Sequence, residues 1–246
     1  KAFLMLEDGL RRVPDLSLEG NNLDFTPKPT GLTGSNISST EAVAVCRDYV
    51  GPAAKGMNIK YERMIKGSIP SYLITMTDRA NPGRNRQCSV SVKGGHVFWM
   101  LGNRDVGSPK LSLAQGQAKA LEFLSQRDYP GMKCVAREEF LNIGNYTCVA
   151  LRNQVVYYPE MLKVQVALDN GEVMCTDATA FLTLHDPNAP SVLQAAIPKS
   201  RILRLLNPQF KSTTIQLAQV LDEMFNKVLC YEVNGAQGQD RFLIYY

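Results

Sequence analysis

Two histidines, His96 and His185, set the limit on imidazole chemistry in this 246-residue chain. A Ser-His-Asp or Cys-His hydrolase needs its base within hydrogen-bond reach of a nucleophile and oriented by a third group. His96 opens a strand-like run with Val97, Phe98 and Trp99, and His185 precedes Asp186-Pro187 in a linker-like stretch. Both positions suit a partly buried histidine satisfied by hydrogen bonds. Glycoside cleavage instead needs two carboxylates across a cleft, roughly 5 to 9.5 Å apart. Glu138 and Glu139 cannot serve, because successive strand residues point to opposite faces. Glu160 and Asp169 remain as acids that nothing in the sequence marks, and a surface position on a sheet is the reading for them. The six cysteines (Cys46, Cys88, Cys134, Cys148, Cys175 and Cys230) contain no C-x-x-C pair, so buried free thiols acting as small hydrophobes are expected. No H-E-x-x-H, nucleophile elbow or phosphate loop occurs. The chemistry-bearing residues thus predict no catalytic site, no cofactor and no metal, and they leave the partner-binding residues unassigned.

The charge balance narrows the partners. A net charge of +4 is mildly basic, and the densest arginines, Arg79, Arg84 and Arg86, surround a turn. They read as a solvated loop, whereas nucleic acid calls for a continuous basic face with interleaved aromatics. No stretch approaches the roughly 18 to 20 apolar residues of a membrane helix. The chain opens at Lys1 without a basic n-region or cleavage site, which suggests a fragment of a longer protein. Trp99, Tyr157, Tyr158, Tyr231, Tyr245 and Tyr246 could anchor a partner or stack on sugar rings; core packing is the favoured reading.

The elements that would position these residues recur. Ser38-Ser39-Thr40-Glu41 and Ser112-Leu113-Ala114-Gln115 each carry a capping box, 74 positions apart, in which the Ser hydroxyl and the third residue's side chain satisfy each other's backbone donors. Ala42, Val45, Cys46 and Tyr49 form the inner stripe of the first helix, which Gly51-Pro52 ends. Ala114, Ala118, Leu121 and Leu124 form that of the second. Strands follow at 58–66, 71–77, 87–93 and 97–101, and again at 133–141, 146–152, 162–169 and 172–176. Gly94-Gly95 supplies positive φ for a tight hairpin, and Asn170-Gly171 predicts a type I′ turn, which needs positive φ at both central residues. A third, less regular segment has a helix near 198–206 and strands at 211–220, 228–233 and 241–246. The expected organisation is α+β: a lead-in over 1–36, with a helical Phe3–Leu10 stretch and an extended strap, then three modules over 37–108, 109–187 and 188–246. Each is one helix on an antiparallel sheet of about four strands.

A helix followed by antiparallel strands and a glycine-centred hairpin resembles the PepSY module. The strings from Lys93 to Gly107 and from Tyr158 to Val173, with Leu229–Val233 and Arg241–Tyr245, are similar to the C-terminal region of the YpeB family of spore germination proteins. That resemblance covers residues 13–246. It implies three tandem PepSY modules following a membrane-anchored N-terminal region, an extracytoplasmic place near the spore inner membrane or cortex, and no enzymatic activity. It also implies a partner, the cortex-lytic peptidoglycan hydrolase SleB, which such a protein stabilises and holds inactive until germination. A peptidoglycan-binding scaffold is the alternative.

Overall fold

The computed structural model describes residues 28–81, 83–190, 193–238 and 240–246. The expected Phe3–Leu10 helix lies outside them. The chain is α+β, with short helices laid on one large sheet.

Helix α1 (Ser39–Val50) starts where Ser38 accepts from the Glu41 amide while Glu41 takes the Ser38 N–H at 2.7 Å. It buries Ala42, Cys46, Tyr49 and Val50 and ends at Gly51, whose φ of +66° suits glycine. Four antiparallel strands follow as a meander: β1 (Met57–Ile65), β2 (Ser71–Asp78), β3 (Asn85–Ser91) and β4 (Val97–Asn103). The plan repeats in α2 (Leu113–Ser125), β5 (Met132–Phe140), β6 (Ile143–Arg152), β7 (Val155–Ala167) and β8 (Val173–Asp177). Next come α3 (Thr179–Leu184), which the sequence reading lacks, and α4 (Lys199–Leu205). Then β9 (Lys211–Leu221), β10 (Lys227–Gln237) and β11 (Asp240–Tyr245) form a three-stranded meander.

These strands share one sheet. β4 pairs antiparallel with β8, so the first two meanders join edge to edge. β7 is long enough to hold two neighbours on the edge opposite β6: β8 along its C-terminal half, and β9, in parallel, at Val155–Tyr157. Sequence reading starts this strand only at Leu162, whereas it runs from Val155 through Pro159. The structure absorbs the proline in a bulge, where Val149 pairs with Met161 but Ala150 pairs with Tyr157. One hydrophobic core runs without a break beneath both α1 and α2. The third segment has its own small cluster around Ile202, Tyr231 and Val233.

Three expectations are corrected. The buried stripe of α2 is Gly116, Ala120 and Leu124, while Ala114 and Ala118 face solvent. The helix turns its glycine inward because a Cβ there would meet the Tyr146 hydroxyl at 2.2 Å. The Asn170-Gly171 hairpin is not type I′, since only Gly171 has positive φ (+78°). Its loop is wider because Leu168 is buried and Asp169 is gripped from the neighbouring unit. Gly94 and Gly95, by contrast, both have positive φ, as expected. Finally, Cys134 and Cys148 are not free thiols. They lie directly opposite each other on β5 and β6, with Cα atoms 4.0 Å apart, and are joined as a disulfide. Cys46, Cys88, Cys175 and Cys230 are free.

Candidate functional site

The seam between the two helix-and-four-strand units gathers much of the chain's interior charge. Its backbone part is short: Trp99, Met100 and Leu101 of β4 pair with Asp177, Thr176 and Cys175 of β8. On the helical face, the Tyr49 hydroxyl donates to Thr176 Oγ1 at 3.0 Å. Burial pushes the Tyr49 phenol far above its ordinary value, so it remains a donor at any physiological pH. Arg127, just past α2, donates from Nε to the Tyr49 carbonyl at 2.7 Å and from Nη1 to the Phe123 carbonyl at 3.4 Å. Its guanidinium carbon sits 3.7 Å from the centre of the Phe123 ring. One cation therefore serves the C-terminal carbonyls of both helices, where the helix dipoles favour positive charge.

A denser lock lies next to it, around a pocket that Arg86 and Glu172 line together with Arg127. Arg86 of β3 crosses β4 at Gly102, where a Cβ would lie 2.9 Å from Arg86 Nη1 and 2.7 Å from the Met174 carbonyl. Through that gap Nη1 donates to the Val173 carbonyl at 3.0 Å, and Nη2 donates to Glu172 Oε1. Arg84 Nη2 reaches the same oxygen at 2.7 Å, and Arg104 Nε reaches Oε2 at 2.7 Å. Arg104 also clasps Asp169 through two 2.8 Å bonds. All three arginines come from the first unit, and both acids come from the β7–β8 loop of the second. Burial alone would raise the Glu172 carboxyl, but the three guanidinium groups outweigh it and hold it at about 2. Asp169 is likewise held at about 2, chiefly by Arg104 and then by the Gly107 N–H.

This corrects the reading of Arg79, Arg84 and Arg86 as one solvated loop. Arg79 is exposed, but Arg86 is only 2% exposed and Arg84 turns inward to Glu172. Asp169 and Glu160, expected on a sheet surface, are both held in ion pairs. The β3 sequence Asn-Arg-Gln-Cys-Ser gives no hint of this, because the acids lie some eighty residues away. Gly102, an isolated glycine inside a strand, is the one available signal of a close approach.

Beside the seam lies a cleft of about 530 Å³ between the strap, the C-terminal ends of α1 and α2, and α3. The strap is fixed by Gly31, whose N–H donates to the Leu182 carbonyl at 2.9 Å, and by an Asn36–Lys93 bridge. Both histidines line the cleft. His96 Nε2 sits 3.0 Å from the Thr33 carbonyl. The His185 ring stacks on Phe181, with centroids 4.7 Å apart, and its Nδ1 lies 3.2 Å from Glu160 Oε2. Glu160 is 2% exposed and accepts from both terminal nitrogens of Arg152. Burial pushes its carboxyl up, yet Arg152 and His185 bring it down to about 2. Each imidazole is thus oriented against a carbonyl or a committed carboxylate, and the described residues lining the cleft include neither Ser nor Cys. Among the described residues no group of three or more His, Cys, Asp or Glu is placed to hold a metal ion. The arrangement fixes backbone segments and charges in place; it does not set a base against a nucleophile.

Of the aromatic candidates, Tyr157 and Tyr231 are buried, Trp99 is half-buried against Phe98, and Tyr245 and Tyr246 stay exposed.

Comparison with known proteins places this geometry. The family described as YpeB sporulation, PepSY1 and PepSY2 domains matches residues 1–189. The sporulation protein YpeB of Bacillus subtilis (strain 168) is 32% identical over 158 residues, covering 63% of this chain and 35% of that protein. The YpeB of Oceanobacillus iheyensis is 23% identical over 230 residues, covering 93% of this chain and 50% of its own length. The chain thus spans at most about half the length of these curated relatives. Among solved structures, the Bacillus megaterium YpeB C-terminal domain superposes with a TM-score of 0.75 at 25% identity, over 86% of this chain and 93% of that one.

Proposed function

The chain belongs to the YpeB family of sporulation proteins, and from that premise we propose that it is a non-catalytic regulator of germination. In this reading it binds the cortex-lytic hydrolase SleB, keeps it folded in the dormant spore and restrains it until germination. The observation that carries the reading is the seam. Arg84, Arg86 and Arg104 of one unit close on Glu172 of the next, so two modules become one rigid body with preformed outer surfaces. A rigid surface binds without first losing conformational entropy. Preferential binding to the folded hydrolase stabilises it in proportion to occupancy, and covering its cleft restrains it. The third segment, α4 on β9–β11, we read as belonging to a third PepSY module, with module boundaries at 37–108, 109–187 and 188–246. We place the protein outside the cytoplasm, at the spore inner membrane or cortex, anchored by a segment outside this sequence.

The test is to mix the chain, and the same chain within a full-length family member, with the purified hydrolase and cortex fragments. The expected result is a stable complex and slowed release of cortex material. No complex and undiminished release with both forms refutes the reading. Tyr157 and Tyr231 lie in the core, whereas Tyr245 and Tyr246 are exposed; pelleting with purified cortex alone would favour the peptidoglycan-scaffold alternative.

A further inference from the structure

Two acids on the wall of the cleft beside the seam are unspent. Asp48 lies in the last turn of α1, and Asp128 lies just past α2. Among the described residues neither carboxylate has a hydrogen bond or an ion pair. Both positions disfavour an acid, because the carbonyl end of a helix repels negative charge. Asp128 also sits at a φ of +62°. The Tyr129 N–H bonds back to the Leu124 carbonyl at 3.1 Å, closing the helix-ending turn whose left-handed position glycine or asparagine usually takes. Arg127 is the only lysine or arginine among the described residues on this wall, and the Tyr49 and Phe123 carbonyls engage it. Behind His185, Glu160 and Arg152 offset each other. Two helix carbonyl ends and two free carboxylates therefore give the cleft a negative field.

Tyr129 is a second, independent sign. It is only 9% exposed, and its ring packs edge-to-face on Phe181 with centroids 5.0 Å apart. A phenol so buried ordinarily finds a hydrogen-bond partner. This hydroxyl has none among the described residues, yet it is not shut away from solvent, so it opens onto the cleft that its ring lines. Burial, and then the nearby Asp128 carboxylate, push it up to about 12, which keeps it un-ionised at neutral pH.

We propose that this cleft receives a basic side chain of a protein partner, its ammonium or guanidinium head shared by Asp48 and Asp128. The Tyr129 oxygen accepts a hydrogen bond from that head, and the alkyl stem lies along the Tyr129 and Phe181 rings. A cation there answers both oddities at once: it pairs the two carboxylates that the helix ends repel, and it supplies the partner that the phenol lacks. A lone cationic head would leave most of the cleft's volume of about 530 Å³ unfilled, so flanking backbone of the partner enters with it. The assignment goes beyond the regulator reading, because it fixes the chemistry of one contact whichever protein carries the side chain.

Titrating the intact chain with N-acetyl-arginine amide and N-acetyl-lysine amide at low salt, followed by amide chemical shifts, tests this. Saturable shifts should centre on Tyr49, Asp128, Tyr129 and Phe181 and weaken as salt rises. The uncharged N-acetyl-glutamine amide should leave those signals in place. Asp48→Asn together with Asp128→Asn should weaken binding at least about tenfold. The same pair should keep or raise the melting temperature, because asparagine suits the left-handed turn and each helix end loses a repelled charge. Tyr129→Phe should weaken binding about threefold with the ring packing kept. No saturable shifts with either cationic probe overturns the proposal. So do equal shifts with the glutamine probe, or binding indifferent to the double substitution. A double variant that melts markedly lower also overturns it, since the acids would then be spent within the fold. No hydrolase is present in this titration, so it and the complex assay can fail separately.

Discussion

Replacing Glu172 by Gln keeps the shape of the seam and removes its central charge. Arg86 is then left 2% exposed with its guanidinium bonded to the Val173 carbonyl but with no counter-charge. Removing one partner of a buried ion pair costs about 3 to 5 kcal/mol. Arg84 has partial access to water and Arg104 keeps Asp169, so the lower end applies, about 3 kcal/mol. Proton linkage gives a second route to the magnitude. The Glu172 carboxyl is held at about 2 against 4.5 in the unfolded chain. At about 1.4 kcal/mol per unit, and trimmed for its residual contact with solvent, that is about 2 to 3 kcal/mol. The sign follows from the direction of the shift: a depressed acid stabilises the fold fully above pH 4.5 and loses that contribution as the pH falls towards 2. Urea unfolding at pH 7 should therefore place Glu172→Gln about 3 kcal/mol below the parent, and the melting temperature should fall by about 6 to 12 °C for a chain of this size. The gap should narrow steadily as the pH falls below 4.5. Adding Arg86→Leu should recover part of the loss, because no buried cation is left unpaired. A gap under about 0.5 kcal/mol at pH 7, or one unchanged at pH 2, would refute the electrostatic account of the seam.

Three further outcomes test the same architecture. Gly102→Ala forces a methyl against the Met174 carbonyl and the Arg86 guanidinium, and should cost about 1 to 3 kcal/mol by thermal unfolding, although alanine suits a strand better than glycine. Arg127→Ala removes the cation shared by the ends of α1 and α2; about 2 kcal/mol should be lost, with faster amide exchange in the last turns of both helices. The pair Cys134→Ala with Cys148→Ala opens a crosslink spanning 14 positions, and should lower stability by about 3 kcal/mol, matching the effect of dithiothreitol on the parent.

Three of the chain's interior carboxylates are spent on holding segments together. Glu160 is committed to Arg152 and His185, Asp169 to Arg104, and Glu172 to three arginines. Stability at neutral pH and loss of it in strong acid follow from the same three carboxylates, each held at about 2.

What could be read from the residues alone was local. The capping boxes at Ser38 and Ser112, the Gly51 stop and the Gly94-Gly95 turn depend on contacts within a few positions, so their chemistry is written where it acts. The strand at 211–220 was also legible. Other features depend on residues distant in the chain. Gly116 faces inward because Tyr146 fills the space beside it, Arg86 is buried because Gly102 and Glu172 receive it, and the histidines share one cleft only because the strap and α3 close over it. Edge pairing is the clearest case. Backbone groups are nearly the same in every strand, so sequence says that β4, β8 and β9 are strands, while the competition of whole surfaces for burial decides which edge each one joins.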